Sequence, residues 1–198
     1  MRTNYVLIDY ENVQPEAMAV LNKEHFKVIV FVGANQAKVT FEVASVLQQM
    51  GERAEYIKIS GNGSNALDFH VAYYIGALAS KEPDAYFHIV SKDTGFDPLI
   101  THLKTRKIFA CRSKDVTDIP IVKASNSKSP SEKIAVIVAD LKRRGASKPR
   151  AVKTLTSTIS SMFQKQLPEQ ELQSLLNELK EQGLITVAGT KVSYALPA

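Results

Sequence analysis

Over the first 112 residues, five short runs rich in β-branched and aromatic side chains alternate with stretches of helical period, and few folds satisfy that alternation. The runs are NYVLID at 4–9, KVIVFVG at 27–33, AEYIKI at 54–59, DAYFHIVS at 84–91 and RKIFAC at 106–111. Helices are predicted between them at 15–23, 37–50, 65–79 and 97–105, with Gly51 where a C-terminal cap belongs. Strands that are apolar throughout are buried on both faces, and strands joined by helices run parallel. The expected fold is therefore α/β, a doubly wound parallel five-strand sheet with helices on both sides. Such sheets bind ligands beyond the carboxyl ends of their strands, so functional residues are sought there.

Residues 115–130 turn to Ser, Lys, Pro and Asn with little periodicity, which is linker composition. They separate an expected domain at 1–114 from a second at 131–198. In the second, helices are predicted at 131–144, 149–163 and 168–182, with Pro149 and Pro168 as first-turn prolines and Gly183 as the stop. LITVAGTKVSYAL then reads as two short strands around a Gly-Thr turn. Three helices and a terminal hairpin are the layout of a small winged helix-turn-helix domain.

Charge divides with the domains. Residues 1–124 hold 14 basic and 14 acidic side chains, whereas 125–198 hold 11 basic and 6 acidic, so the whole net charge of +5 lies in the tail. That asymmetry implies an anionic partner for the tail, with nucleic acid ahead of a membrane surface. No run of 18 apolar residues occurs, and MRTNYVLIDYENV lacks the apolar core and cleavage site of a signal peptide. The single cysteine, Cys111, sits in an apolar run and reads as a small buried hydrophobe. A cytoplasmic protein without membrane association is expected.

Three acids occur where this architecture brings side chains together. Asp9 ends the first strand, with Glu11 and Asn12 directly beyond. Asp68, in ALDFHVA, opens the third predicted helix after the loop Gly61-Asn62-Gly63-Ser64-Asn65. Asp93, in SKDTGFDP, follows the fourth strand. Each has a structural alternative: Asp9 could cap a helix, and Asp68 could be a first-turn acid favoured by the dipole. Asp97, just before Pro98, suits either a fourth acid or an N-cap. His70 reads as a packed or solvated structural residue. Clustered carboxylates repel one another, and the usual remedy is one or two magnesium or manganese ions. No Gly-rich phosphate loop or dinucleotide fingerprint offers a competing site.

The order Asp9-Tyr10-Glu11-Asn12, Ala66-Leu67-Asp68, then Ser91-Lys92-Asp93-Thr94-Gly95-Phe96 resembles the three acidic motifs of PIN-like and NYN nucleases, over about residues 3–112. The resemblance implies a metal-dependent ribonuclease with an acidic pocket at the carboxyl edge of the sheet. It implies Asp9, Asp68 and Asp93 as ligands to magnesium or manganese, Asn12 as the residue orienting the first motif, and Ser91 as a supporting hydrogen bonder. Many NYN members carry a second Asp just before the Phe of the third motif, where this chain has Gly95. The fourth acidic ligand is then Asp97, Glu11 or absent, and one-metal or two-metal operation stays open.

In the tail, Lys142, Arg143, Arg144, Lys148, Arg150 and Lys153 form a stretch with no acid, the best candidate for phosphate contact. The third helix of that domain carries Glu169, Glu171, Glu178 and Glu181 against Lys180, which counts against insertion into a DNA major groove. The module resembles the winged helices, LOTUS-like among them, that accompany NYN nucleases and contact RNA; a protein-docking domain is the alternative. Three functions follow in order: an endonuclease favouring RNA or single strands, a catalytically weak nucleic-acid adaptor of the same fold, and a phosphatase of another doubly wound family. The last would want a second Asp where Glu11 stands. Phe41, Tyr56, Tyr73 and Tyr74 are expected in the core, leaving few surface rings to stack bases.

Overall fold

Five strands, β1 (Asn4–Asp9), β2 (Phe26–Val32), β3 (Ala54–Lys58), β4 (Tyr86–Val90) and β5 (Phe109–Ser113), pair in parallel in the order β3-β2-β1-β4-β5. The structure is a computed structural model that describes residues 2–63, 65–127 and 129–197. Ser64, in the predicted loop, and Lys128, in the predicted linker, lie outside the described residues. The chain forms two compact units, Met1–Ile119 and Pro120–Ala198.

All six residues of β1 are buried because the strand has neighbours on both sides and layers on both faces. Its odd positions, Tyr5 and Leu7, share a core with Ile29, Phe31, Phe87 and Ile89, covered by Leu67, Val71 and Ile75 of α2 (Ala66–Lys81) and Phe96 and Leu103 of α3 (Phe96–Thr105). The alternate positions Val6, Ile8, Val28 and Val30 are buried on the opposite face, as are Val43, Leu47 and Met50 of α1 (Phe41–Met50). Burial on both faces explains the unbroken apolar runs. From β1 the chain winds to β2 and β3, then returns to β4 and β5 on β1's other side. The winding reverses between β1 and β4, which opens a crevice at their carboxyl ends.

Several expectations change, among them the helix predicted at 149–163, which begins at Val152 and leaves Pro149 outside its first turn. The helix predicted at 15–23 is a single 3-10 turn, Met18–Leu21. The one predicted at 37–50 begins at Phe41, where Thr40 Oγ1 caps the Val43 N–H; residues 33–40 lack an apolar stripe to dock. Residues 115–130, expected as a linker, contain a 3-10 turn, Val116–Asp118, and a helix, α4 (Pro120–Asn126). Burial of Val122 and Ala124 outweighs the polar composition around them.

In the second unit, α5 (Pro130–Arg144), α6 (Val152–Met162) and α7 (Glu169–Glu181) precede a hairpin of β6 (Ile185–Ala188) and β7 (Lys191–Tyr194). A capping box starts α5: Ser129 Oγ accepts the Glu132 N–H and the Glu132 carboxylate accepts the Ser129 N–H. Ile137, Leu155, Ile159, Leu175, Leu179 and Ile185 fill the core. Ala151 bridges to Lys191, adding a third short edge to the hairpin.

Candidate active site at the carboxyl edge

Odd positions of β1 face α2, so the two-residue period that buries Tyr5 and Leu7 also turns Asp9 toward the N-terminus of α2. Ile8 pairs with Val90, which places Ser91 beside Asp9. The Ser91 hydroxyl, fully buried, donates to Asp9 Oδ2 at 2.8 Å, and its oxygen accepts the Asp93 N–H at 3.0 Å. The Asn12 N–H donates to Asp9 Oδ1 at 3.2 Å, and Asn12 Oδ1 accepts the Lys92 N–H at 3.0 Å. Residues 82 apart in sequence are thus tied into one hydrogen-bonded unit.

Asp9 is 5% exposed. Burial pushes its carboxyl pKa up; Ser91 and the Asn12 N–H pull it down, while the charges of Glu11 and Asp93 push it up again. Asp68 is also raised, by burial first and then by the charges of Asp93 and Asp9. The three acids therefore share one electrostatic site. Among the described residues no salt bridge reaches any of them. Nor do three His, Cys, Asp or Glu side chains stand together there as a ready cation cage. Magnesium keeps several waters and is commonly held through one or two carboxylates, which this donor set can supply.

The candidates for a fourth acid separate. Asp97 is not an N-cap: Gly95 precedes α3 and Asp97 lies in its first turn. Both its oxygens accept from Arg112, at 2.8 and 2.9 Å, and that guanidinium holds its carboxyl below the usual range. Asp97 is therefore engaged by an ion pair with Arg112. Glu11 lies against Gly33 at the end of β2, where a Cβ would stand 1.8 Å from its Oε1. The Gly95 N–H donates to Asp93 Oδ1 at 2.7 Å. A Cβ there would approach that oxygen to 3.2 Å. Arg112, which also donates to the Ser91 carbonyl at 3.2 Å, had no signature in sequence beyond being a charge in an otherwise apolar strand.

His70 is structural, with Nδ1 2.7 Å from the Ala66 carbonyl, and Cys111 is buried. In the second unit, Lys142, Arg143 and Arg144 end α5, Lys148 and Arg150 lie in the extended segment after it, and Lys153 opens α6. Arg143 Nη2 and Arg144 Nε both pair with Asp140, which is 4% exposed. Asp140 was not singled out in sequence, although its spacing of three and four from two arginines is the signal. Lys148 Nζ lies 5.9 Å from the Tyr194 ring centroid. Among the described residues no helix is long and apolar enough to cross a membrane.

A family model of the PIN domain matches residues 3–113. No curated protein matches significantly. Among solved structures, a chain of "Structure of Drosophila ORC bound to GC-rich DNA and Cdc6" aligns at 12% identity over 97% of this chain and 81% of that one, with a TM-score of 0.23, too low to carry an argument.

Proposed function

The chain belongs to the PIN-domain family, and from that premise we propose that it is a metal-dependent nuclease acting on RNA or other single strands. PIN domains are in general metal-dependent nucleases that use magnesium or manganese. Asp9, Asp68 and Asp93 are the residues that would hold the ion. The observation that carries this reading is the buried Asp9 at the topological switch, electrostatically coupled to Asp93 and Asp68. A cation bound there would activate a water and neutralise charge developing on the phosphate and the leaving oxygen. The chain's own part is positional. Ser91 fixes one oxygen of Asp9 and the Asn12 N–H the other, while Asn12 joins the first motif to the third. Because Asp9 and Asp68 hold protons to higher pH than ordinary carboxylates, cation binding and cleavage are expected to rise with pH through their titration.

On the same motifs we group the chain with NYN nucleases. We take the second unit as a winged-helix module, LOTUS-like in layout, that holds nucleic acid through Lys142, Lys148, Arg150 and Lys153 with Arg143 and Arg144 beside them. Helices α5, α6 and α7, the hairpin and the Ala151–Lys191 bridge support that assignment, with α4 as an additional helix packed on the same core. A second reading is a catalytically weak adaptor, favoured by the capture of Asp97 by Arg112 and the lack of a ready acidic cage among the described residues. The test is cleavage of labelled single-stranded RNA and DNA with manganese or magnesium, beside the Asp9→Asn/Asp93→Asn double variant. Metal-dependent cutting lost in the variant supports the nuclease. Binding with steep salt dependence but no cutting by either protein selects the adaptor.

A further inference from the structure

Helices that cover a sheet ordinarily turn a polar face to solvent. On α2, with Leu67, Val71 and Ile75 facing the sheet, the outer face instead carries Phe69, 72% exposed, and Tyr73, 70% exposed. Phe41, in the first turn of α1, is 81% exposed. Single exposed apolar residues are common, but these are not scattered. Of six large hydrophobic side chains exposed among the described residues, five fall within residues 39–73; the sixth, Phe109, lies under the Arg2 guanidinium at 4.1 Å.

Their placement is tied to the acids. In a parallel sheet every connecting helix starts at the carboxyl edge, so the first turns of α1 and α2 both rise from the edge that holds Asp9. Phe69 directly follows Asp68. Phe41 directly follows Thr40, whose N–H donates at 2.8 Å to the hydroxyl of Tyr10, the residue after Asp9. The two rings belong to helices that cover opposite faces of the sheet and begin at the same carboxyl edge. An open cleft of about 530 Å³ is lined by Tyr10, Gln14, Gln36, Lys38 and Thr40 among others, Thr40 being the residue before Phe41. Lys58 reaches the Gln36 carbonyl from β3.

We propose that Phe41 and Phe69 are base-stacking platforms that seat an unpaired nucleic-acid strand across the acidic edge, with Tyr73 extending the second platform. The proposal rests on the nuclease reading and names how its substrate is gripped. Position favours this occupant over an apolar protein surface: Phe41 and Phe69 both lie in the first turns of helices that start at the edge holding the acids. Residues 1–119 hold 13 basic and 14 acidic side chains, so this unit has little general attraction for a phosphate backbone, and a strand delivered to it needs another source of affinity. Stacking supplies that source without requiring a particular base, while Lys38 and Lys58 offer local phosphate contacts.

The test is equilibrium binding of the full-length protein, in EDTA so that nothing is cut. The probes are a fluorescent single-stranded RNA of about 12 nucleotides, within the span of small single-strand sites, and an abasic backbone of equal length. The parent protein should bind the RNA more tightly than the abasic strand. Phe41→Ala and Phe69→Ala should each weaken RNA binding by about 5- to 150-fold, leaving abasic binding and the salt slope unchanged. Because both rings are exposed, thermal unfolding should not move, which separates lost stacking from lost fold. Equal RNA binding by parent and variants, or no preference of the parent for bases, overturns the proposal and leaves the rings to a protein partner. Manganese-dependent cutting by the parent is scored separately, so the nuclease can survive the loss of its stacking sites.

Discussion

Removing one hydroxyl, by Ser91→Ala, tests the wiring of the site more sharply than removing an acid. Ser91 makes two bonds: its O–H to Asp9 Oδ2 and its oxygen to the Asp93 N–H. The first is made to a carboxylate, and such bonds contribute about 1.5–3 kcal/mol; the second is neutral and contributes about 0.5–1.5 kcal/mol. The variant should lose about 2–4 kcal/mol at pH 8, toward which the ionised form of Asp9 gains population. The loss depends on pH with a definite sign. The folded-state pKa of Asp9 lies above its unfolded value, so the fold loses stability as pH rises from the unfolded value, about 3.9, through the folded one. Without Ser91 the folded value climbs further and the loss deepens. Urea unfolding of both proteins from pH 4 to 8 should show the gap widening toward pH 8, from about 1–2 kcal/mol at the acid end. A gap independent of pH, or under about 0.5 kcal/mol throughout, would refute the claim that this hydroxyl serves an ionised Asp9.

Other expectations concern the two arginine pairs. Arg112→Ala should cost about 1 kcal/mol at pH 7, because the pair is bidentate but Asp97 is half exposed. Arg112 depresses the Asp97 pKa, so this stability is present above the unfolded value and disappears as pH falls through the folded one; chemical denaturation at pH 7 and pH 3 checks it. Asp140→Asn should destabilise the second unit by about 1–3 kcal/mol, less than for a fully buried pair because both arginines reach solvent. It should also tighten RNA binding and steepen its salt dependence, since two cations lose their internal counter-charge; an unchanged salt slope would place Arg143 and Arg144 away from nucleic acid.

Where burial decides structure, the chain was legible. β1 is predicted to the residue, because an all-apolar run ending in Asp has one natural reading, and α5 and α7 fall within a residue or so of their predicted limits because their stops are Gly145 and Gly183. β5 starts at Phe109, three residues later than expected: Arg106 ends α3 and Lys107 takes a positive φ of 61°, spending the apparent start of the strand on a turn. The acids Asp9, Asp68 and Asp93 could be chosen because topology alone directs them to one edge. Their hydrogen bonds to Ser91 and Asn12 depend on register, and the diversion of Asp97 depends on an arginine 15 residues away, which no local pattern reports. The surface rings were misjudged because hydrophobicity predicts burial only on average. Phe41, Tyr56 and Tyr73 are exposed, while Tyr74 packs edge-on against Phe31 as expected.

The pairing of β1 with β4 also sets when the site can come into being. Asp9 waits for a partner 82 residues downstream, and closing so long a loop costs entropy before any contact repays it. During folding, Asp9 therefore remains hydrated and distant from Asp93 until the second half of the sheet has docked. The repulsion between Asp93 and the other two acids is borne only once β4 has paired with β1. A fragment ending before β4 keeps two of the three acids but lacks Ser91 and Asp93, and with them the crevice between β1 and β4.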